Sequence, residues 1–165
     1  MLRPASSDDF PAQAQVQHAA WHEGFVPLLP ADFRVPPVEE LEAALGRADT
    51  QRVVAAEDKA VIGWVSFGAS RDSDRDAWTG ELRALYVHPD RWGRGAGRAL
   101  VGHVIEALPE MGYREATLWS FAANERANRL YEGAGFERDG AERREPIFAG
   151  ALELRYRRAL QPPRV

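Results

Sequence analysis

Three glycines alternate with other residues in the run Trp92-Gly93-Arg94-Gly95-Ala96-Gly97-Arg98-Ala99-Leu100, between a strand-like segment and an apolar helical one. Glycine removes the side chain that would hold a ligand away from the backbone. The first turn of the following helix adds unpaired N–H groups carrying partial positive charge. Arg94 and Arg98 can supplement those amides with charge-assisted bonds. The chemistry this arrangement suits is binding of an anion such as a phosphate. It is not the dinucleotide fingerprint, because Arg98 occupies the third glycine position when counting starts at Gly93. Nor is it a P-loop, because no Gly-Lys-Ser/Thr ending follows. Taken alone, the glycines could also form a plain flexible turn before a helix.

A second group lies downstream. Asn124, Ala127, Asn128 and Tyr131 share one face of a predicted helix that is followed by Gly133-Ala134-Gly135-Phe136. A phenol on such a face could give a proton to a leaving group. A tyrosine packed into the core is the commoner outcome for a lone residue of this kind. Other signals are weaker. Asp72, Asp74 and Asp76 imitate the start of an EF-hand, yet Ala77 replaces its glycine and Arg83 its last ligand, which favours a solvated loop. His18 and His22 are four residues apart, but no glutamate between them makes a zinc motif.

The elements that must hold these residues follow from periodicity and punctuation. A short strand at residues 2–5 precedes a helix capped by Ser6-Ser7-Asp8-Asp9 and running to about His22. Pro36-Pro37 starts a second helix with an apolar stripe of Val38, Leu41, Ala44 and Leu45. Residues 52–57 and 60–67 read as a hairpin turning at Asp58-Lys59, and residues 81–87 as a third strand. Leu100, Val101, Val104, Ile105 and Leu108 mark the helix after the glycines, ended by Pro109 and Gly112. Strands at 116–119 and 152–156 flank the helix at 124–132. The order is mixed α/β.

Composition sets outer bounds. A chain of 165 residues suits a single domain, with about 70% of the unfolded surface buried. No apolar stretch approaches the ~18 residues of a membrane span, and MLRPASSDDF lacks a signal-peptide core, so a cytoplasmic protein with no membrane partner is expected. The net charge of -4 argues against general nucleic-acid binding. With no cysteine in the sequence, neither thiolate metal sites nor cysteine nucleophiles are available.

The stretch ELRALYVHPDRWGRGAGRALVGHVIEAL, followed by LWSFAANERANRLYEGAGF, resembles the two core motifs of the GNAT acyl-CoA N-acyltransferase superfamily. The likeness covers roughly residues 81–136. Trp92 stands where the family usually has Gln or Arg. Because backbone amides carry most of the phosphate contact, that change is expected to alter the rim of the site and to leave binding intact.

The resemblance implies a single GNAT-like domain over 1–165, with a central mixed, mostly antiparallel sheet flanked by helices. It also implies acetyl-CoA as co-substrate and no metal. Leu85, Tyr86 and Val87 would meet pantetheine, Gly93, Arg94, Gly95, Ala96, Gly97 and Arg98 the pyrophosphate, and Asn124 the cofactor. Tyr131 would be the general acid and Glu81 the base, with a solvated strand-end carboxylate the alternative for Glu81. Trp21 and Phe25 fall in the region that shapes the acceptor pocket. The implied activity is transfer of acetyl to a primary amine of a small molecule or peptide by direct attack in a ternary complex, and a homodimer is the assembly the resemblance implies. A non-catalytic acyl-CoA sensor or interaction module is the competing reading.

Overall fold

The computed structural model describes residues 1–162. The chain runs β1 (Leu2–Pro4), α1 (Phe10–Ala20), α2 (Val38–Arg47), β2 (Gln51–Glu57), β3 (Ala60–Ala69), β4 (Thr79–Val87), α3 (Ala96–Glu110), β5 (Glu115–Phe121), α4 (Glu125–Gly133), β6 (Glu137–Arg144) and β7 (Leu152–Ala159). Its sheet has seven strands in the order β1-β2-β3-β4-β5-β7-β6. All neighbours are antiparallel except β4 and β5. This is the mixed, mostly antiparallel α/β architecture expected from the sequence.

Local chemistry accounts for the elements. Asp9 closes a capping box at the start of α1, accepting from the Ser6 N–H at 2.8 Å, and Arg3 grips the same carboxylate with two N–H groups. Those bonds, the arginine first, hold Asp9 at about 2, below the ordinary carboxylate value. Asp58 and Lys59 take the left-handed conformations (φ 46° and 69°) that a two-residue hairpin demands. In α2 only Leu41 and Leu45 are buried and Ala44 faces out, a narrower stripe than its spacing predicts.

Two apolar clusters sandwich the sheet. Ala14, Val16, Leu41 and Leu45 from α1 and α2 meet Val54 and Trp64 on one side. On the other, Leu100, Val101, Val104 and Leu108 of α3 pack on Val65, Phe67 and Leu82. Each of the valine, leucine and phenylalanine side chains contributes about 1.5–3 kcal/mol on burial.

Strand β6 has no counterpart in the sequence reading. Its residues, ERDGAERR, include no buried position, because it is a sheet edge whose side chains alternate between half-buried and exposed. Charge on an edge strand blunts pairing with other chains and erases the apolar alternation that reveals a strand. The Asp72–Asp76 loop also differs from a solvated one. Arg155, itself buried, reaches Asp72, Asp74 and Asp139, while the Trp119 indole N–H donates to Asp72 at 3.0 Å. Among the described residues, no helix is long and apolar enough to cross a membrane.

Candidate active site

Strands β4 and β5 pair only through Thr79, Gly80 and Glu81 against Glu115, Ala116 and Thr117, and then diverge. From Leu82 onward the edge of β4 that would have met β5 opens into a cleft of about 360 Å³. An unpaired strand edge offers N–H and C=O groups to any extended, amide-bearing ligand. Leu85, Tyr86 and Val87 line the cleft on this edge.

At the end of β4 the chain passes into the glycine loop. Gly93 (φ 73°) and Gly95 (φ 91°) both adopt left-handed backbone, and a Cβ on either would meet nothing within 4 Å. The open space there is what an anion needs in order to reach main-chain amides. Gly97 has a different reason to be glycine: a Cβ would lie 3.2 Å from Leu130 Cδ2, so it lets α3 approach α4. Gly93, Gly95, Ala96, Gly97 and Arg98 all line the cleft, with the N-terminus of α3 pointing its unpaired amides the same way. Two cations absent from the sequence reading join them, Arg91 and Arg126. The Arg126 guanidinium lies 3.3 Å from the ring centroid of Trp92. Strand edge, open loop and cations together fit a pantetheine arm ending in a pyrophosphate.

The far side of the cleft is formed by β5 and α4. Asn124 caps α4, its Oδ1 accepting from the Ala127 N–H at 3.2 Å, and lines the cleft. Asn128 is directed inward, accepting from Ser120 Oγ at 2.6 Å and donating to the Phe121 carbonyl at 3.2 Å. Tyr131 also lines the cleft although it is only 7% exposed. Burial, and secondarily the neighbouring Tyr86, push its phenol above the ordinary tyrosine value. It therefore stays protonated through the neutral range. Burial likewise pushes Tyr86 up to about 12.

Two residues singled out in the sequence lie elsewhere. Arg94 is exposed and outside the lining. Glu81 is 2% exposed, does not line the cleft, and takes three N–H donors from Arg71: the backbone at 3.0 Å and the guanidinium Nε and Nη2 at 3.1 and 2.7 Å. It sits at the last paired position before β4 and β5 part, where packing, not reach, governs its carboxylate. The carboxylate that does line the cleft is Glu153 on β7. Nothing in its alternating strand pattern separates it from a solvated charge.

Trp21 and Phe25 reach the cleft by a device the sequence reading did not foresee. After Ala20 the helix widens into a π-helical turn, residues Trp21–Phe25, with the Val26 N–H donating to the Trp21 carbonyl. Such turns recur at functional sites. This one brings the two rings together on the cleft wall, tilted to each other with centroids 4.5 Å apart. Among the described residues, no group of three or more His, Cys, Asp or Glu is placed to hold a metal ion.

A parting strand pair, a glycine loop opening a helix and a buried phenol between them are the features of an acyltransferase architecture. Sequence and structure comparisons agree. The sequence model of the Acetyltransferase (GNAT) family matches residues 16–136. The chain therefore belongs to the GNAT family of acetyltransferases. It is 29% identical over 126 residues to the uncharacterized N-acetyltransferase YuaI of Bacillus subtilis, covering 74% of this chain and 72% of that protein. Over 84 residues it is 32% identical to the L-amino acid N-acyltransferase MnaT of Escherichia coli, 51% of this chain and 48% of the relative. In fold it matches the Salmonella typhimurium yncA structure with its cofactor acetyl-CoA at a TM-score of 0.74 and 22% identity, over 98% and 94% of the two chains.

Proposed function

We propose that this enzyme transfers acetyl from acetyl-CoA to a primary amine by direct attack within a ternary complex. The observation that carries the reading is the divergence of β4 from β5 beside the glycine loop, with Tyr131 on the cleft wall. The bound co-substrate supplies an activated acyl thioester. The β4 edge at Leu85–Val87 holds its pantetheine, and the amides from Gly93 to Gly97, helped by Arg91, Arg98 and Arg126, hold its phosphates. Asn124 lies at the mouth of α4 to meet the same arm.

The cleft keeps the thioester and the amine adjacent, so alignment replaces a bimolecular collision. A backbone N–H near Val87 steadies the negative oxygen as the amine nitrogen bonds to the acyl carbon. Tyr131 gives its proton to the sulfur as the C–S bond breaks, a role suited to a phenol that burial keeps neutral, while the nitrogen releases its surplus proton to water in the open cleft, from which the phenol is reprotonated. Glu81 acts indirectly, fixing with Arg71 the point at which the strands part. Release of CoA thiol on adding amines to enzyme and acetyl-CoA tests the proposal. Tight acetyl-CoA binding with no release across a broad amine panel would assign the cleft to sensing.

A further inference from the structure

The acceptor end of the cleft is built from aromatic rings. Trp21 stacks on Phe33 at 5.1 Å and on Phe148 at 5.6 Å, and meets Phe121 at 6.1 Å and Tyr86 at 6.3 Å. Phe25 meets Phe121 edge-on at 5.6 Å, and Phe121 meets Phe148 edge-on at 5.2 Å. These rings come from four separate places: the π-helical turn and the loop after it, β4, β5, and the turn between β6 and β7. Five of them line the cleft, with Phe33 supporting from behind.

A single carboxylate enters this wall. Glu153 stands opposite Phe121 in the sheet register and is 4% exposed. Arg143 holds it with two N–H groups at 2.9 and 3.1 Å, which occupy two of its roughly four acceptor positions. The remaining positions are available to a second donor from the cleft. The cations that line the cleft, Arg91, Arg98 and Arg126, belong to the glycine loop, the turn before it and the first turns of α3 and α4. Among the described residues, the ring-lined end thus presents π faces and one carboxylate, paired with Arg143 on its other side.

On the reading that this protein acetylates amines, we infer that its acceptor is a primary amine carried on an aromatic or bulky apolar group with no carboxylate beside the nitrogen. The rings receive the apolar body by stacking and edge contacts, and attract the ammonium through their negative faces. Glu153 receives the ammonium N–H and orients the nitrogen. An α-amino acid would bring a second carboxylate next to Glu153, whose partner Arg143 is already engaged by it and does not line the cleft, so the added charge would be desolvated without a cation of its own.

The test separates binding from turnover. Calorimetric titration of 2-phenylethylamine, L-phenylalanine and ethylamine into protein saturated with CoA reads the pocket alone. CoA release with the same amines and a wider panel reads the chemistry. The expected result is that 2-phenylethylamine binds at least about tenfold more tightly than either comparison amine, as loss of ring contacts or of charge matching implies. Phe148→Ala, at a half-buried loop position, and Glu153→Gln should each weaken it by about tenfold while CoA affinity is kept. Equal or weaker binding of 2-phenylethylamine, or indifference to both substitutions, overturns the inference whether or not any amine is acetylated. Preferential binding without CoA release from any amine sustains the pocket assignment and defeats the transferase reading instead.

Discussion

The indole N–H of Trp92 donates to the Val87 carbonyl at 2.8 Å, tying the entrance of the glycine loop to the end of the cleft-lining strand. The same ring carries Arg126 on its face, and Gly24 leaves room beside both: a Cβ there would come within 3.3 Å of Trp92 and 3.0 Å of Arg126. A residue that looked like a departure from the family pattern is thus a latch between loop, α4 and the turn after α1. Trp92→Ala should weaken CoA binding about tenfold through loss of the stack and the hydrogen bond. Trp92→Phe keeps a ring and should lose less. Calorimetric titration of CoA checks the order; equal affinity in all three proteins would remove the latch.

Acetyl-CoA at a hundredfold excess over its Kd should raise the melting temperature by about 5–10 °C, because it binds the native cleft and not the unfolded chain. A scan showing the same midpoint with and without millimolar acetyl-CoA would count against the cleft assignment.

Gly95→Asp and Gly97→Asp should lose CoA binding, and for different reasons. At Gly95 the substitution strains a backbone at φ 91° and puts negative charge where phosphate approaches. At Gly97 it also pushes on Leu130, so that variant should melt lower. Arg94→Ala, at an exposed position outside the cleft, should bind CoA nearly as the parent does. Titrations paired with melting curves distinguish the three.

Tyr131→Phe should lower kcat by about 10²–10⁴-fold with little change in CoA affinity. Because folding raises the Tyr131 and Tyr86 values above that of a free tyrosine, the parent should show no alkaline loss of the proton donor near pH 10. The same shift has a stability cost of definite sign. The unfolded chain releases these protons first, so stability present below about pH 10 declines as pH rises beyond it. Rate and denaturant-midpoint profiles from pH 7 to 11 read both.

Asp9→Asn should lower the melting temperature at pH 7, since the amide cannot replace the ionic bond to Arg3. A folded value near 2 means that the contribution of Asp9 is full above the ordinary carboxylate range and fades as pH falls toward 2. The gap between parent and variant should therefore close in acid.

Glu81→Gln offers a contrast with Glu153→Gln. Glu81 is enclosed by Arg71 away from the cleft, so its substitution should reduce stability by about 1–2 kcal/mol and leave kcat/KM within a few-fold of the parent. A rate defect as large as that of Tyr131→Phe would restore Glu81 as the base.

What lay in the sequence alone was the local chemistry. The glycines that need positive φ, the Asp58-Lys59 hairpin, the capped start of α1 and the apolar stripe of α3 each depend on residues a few positions apart, and so can be read along the chain. The same holds for the loop-to-helix anion cradle and for the Asn124 to Tyr131 face. The ring-lined end of the cleft is of another kind. Trp21, Tyr86, Phe121, Phe148 and Glu153 are separated by up to 132 positions and meet only because β4 and β5 part and β7 inserts between β5 and β6. No period connects them, and Glu153 in its strand looks like any solvent-facing charge until the sheet turns that face inward. Glu81 is the opposite case: its place at a strand end suggested chemistry, and only the fold brought Arg71 across to its carboxylate. Packing decides which polar groups meet the ligand, since the long-range pairing of strands sets which face is covered, and that pairing is absent from any short window of sequence.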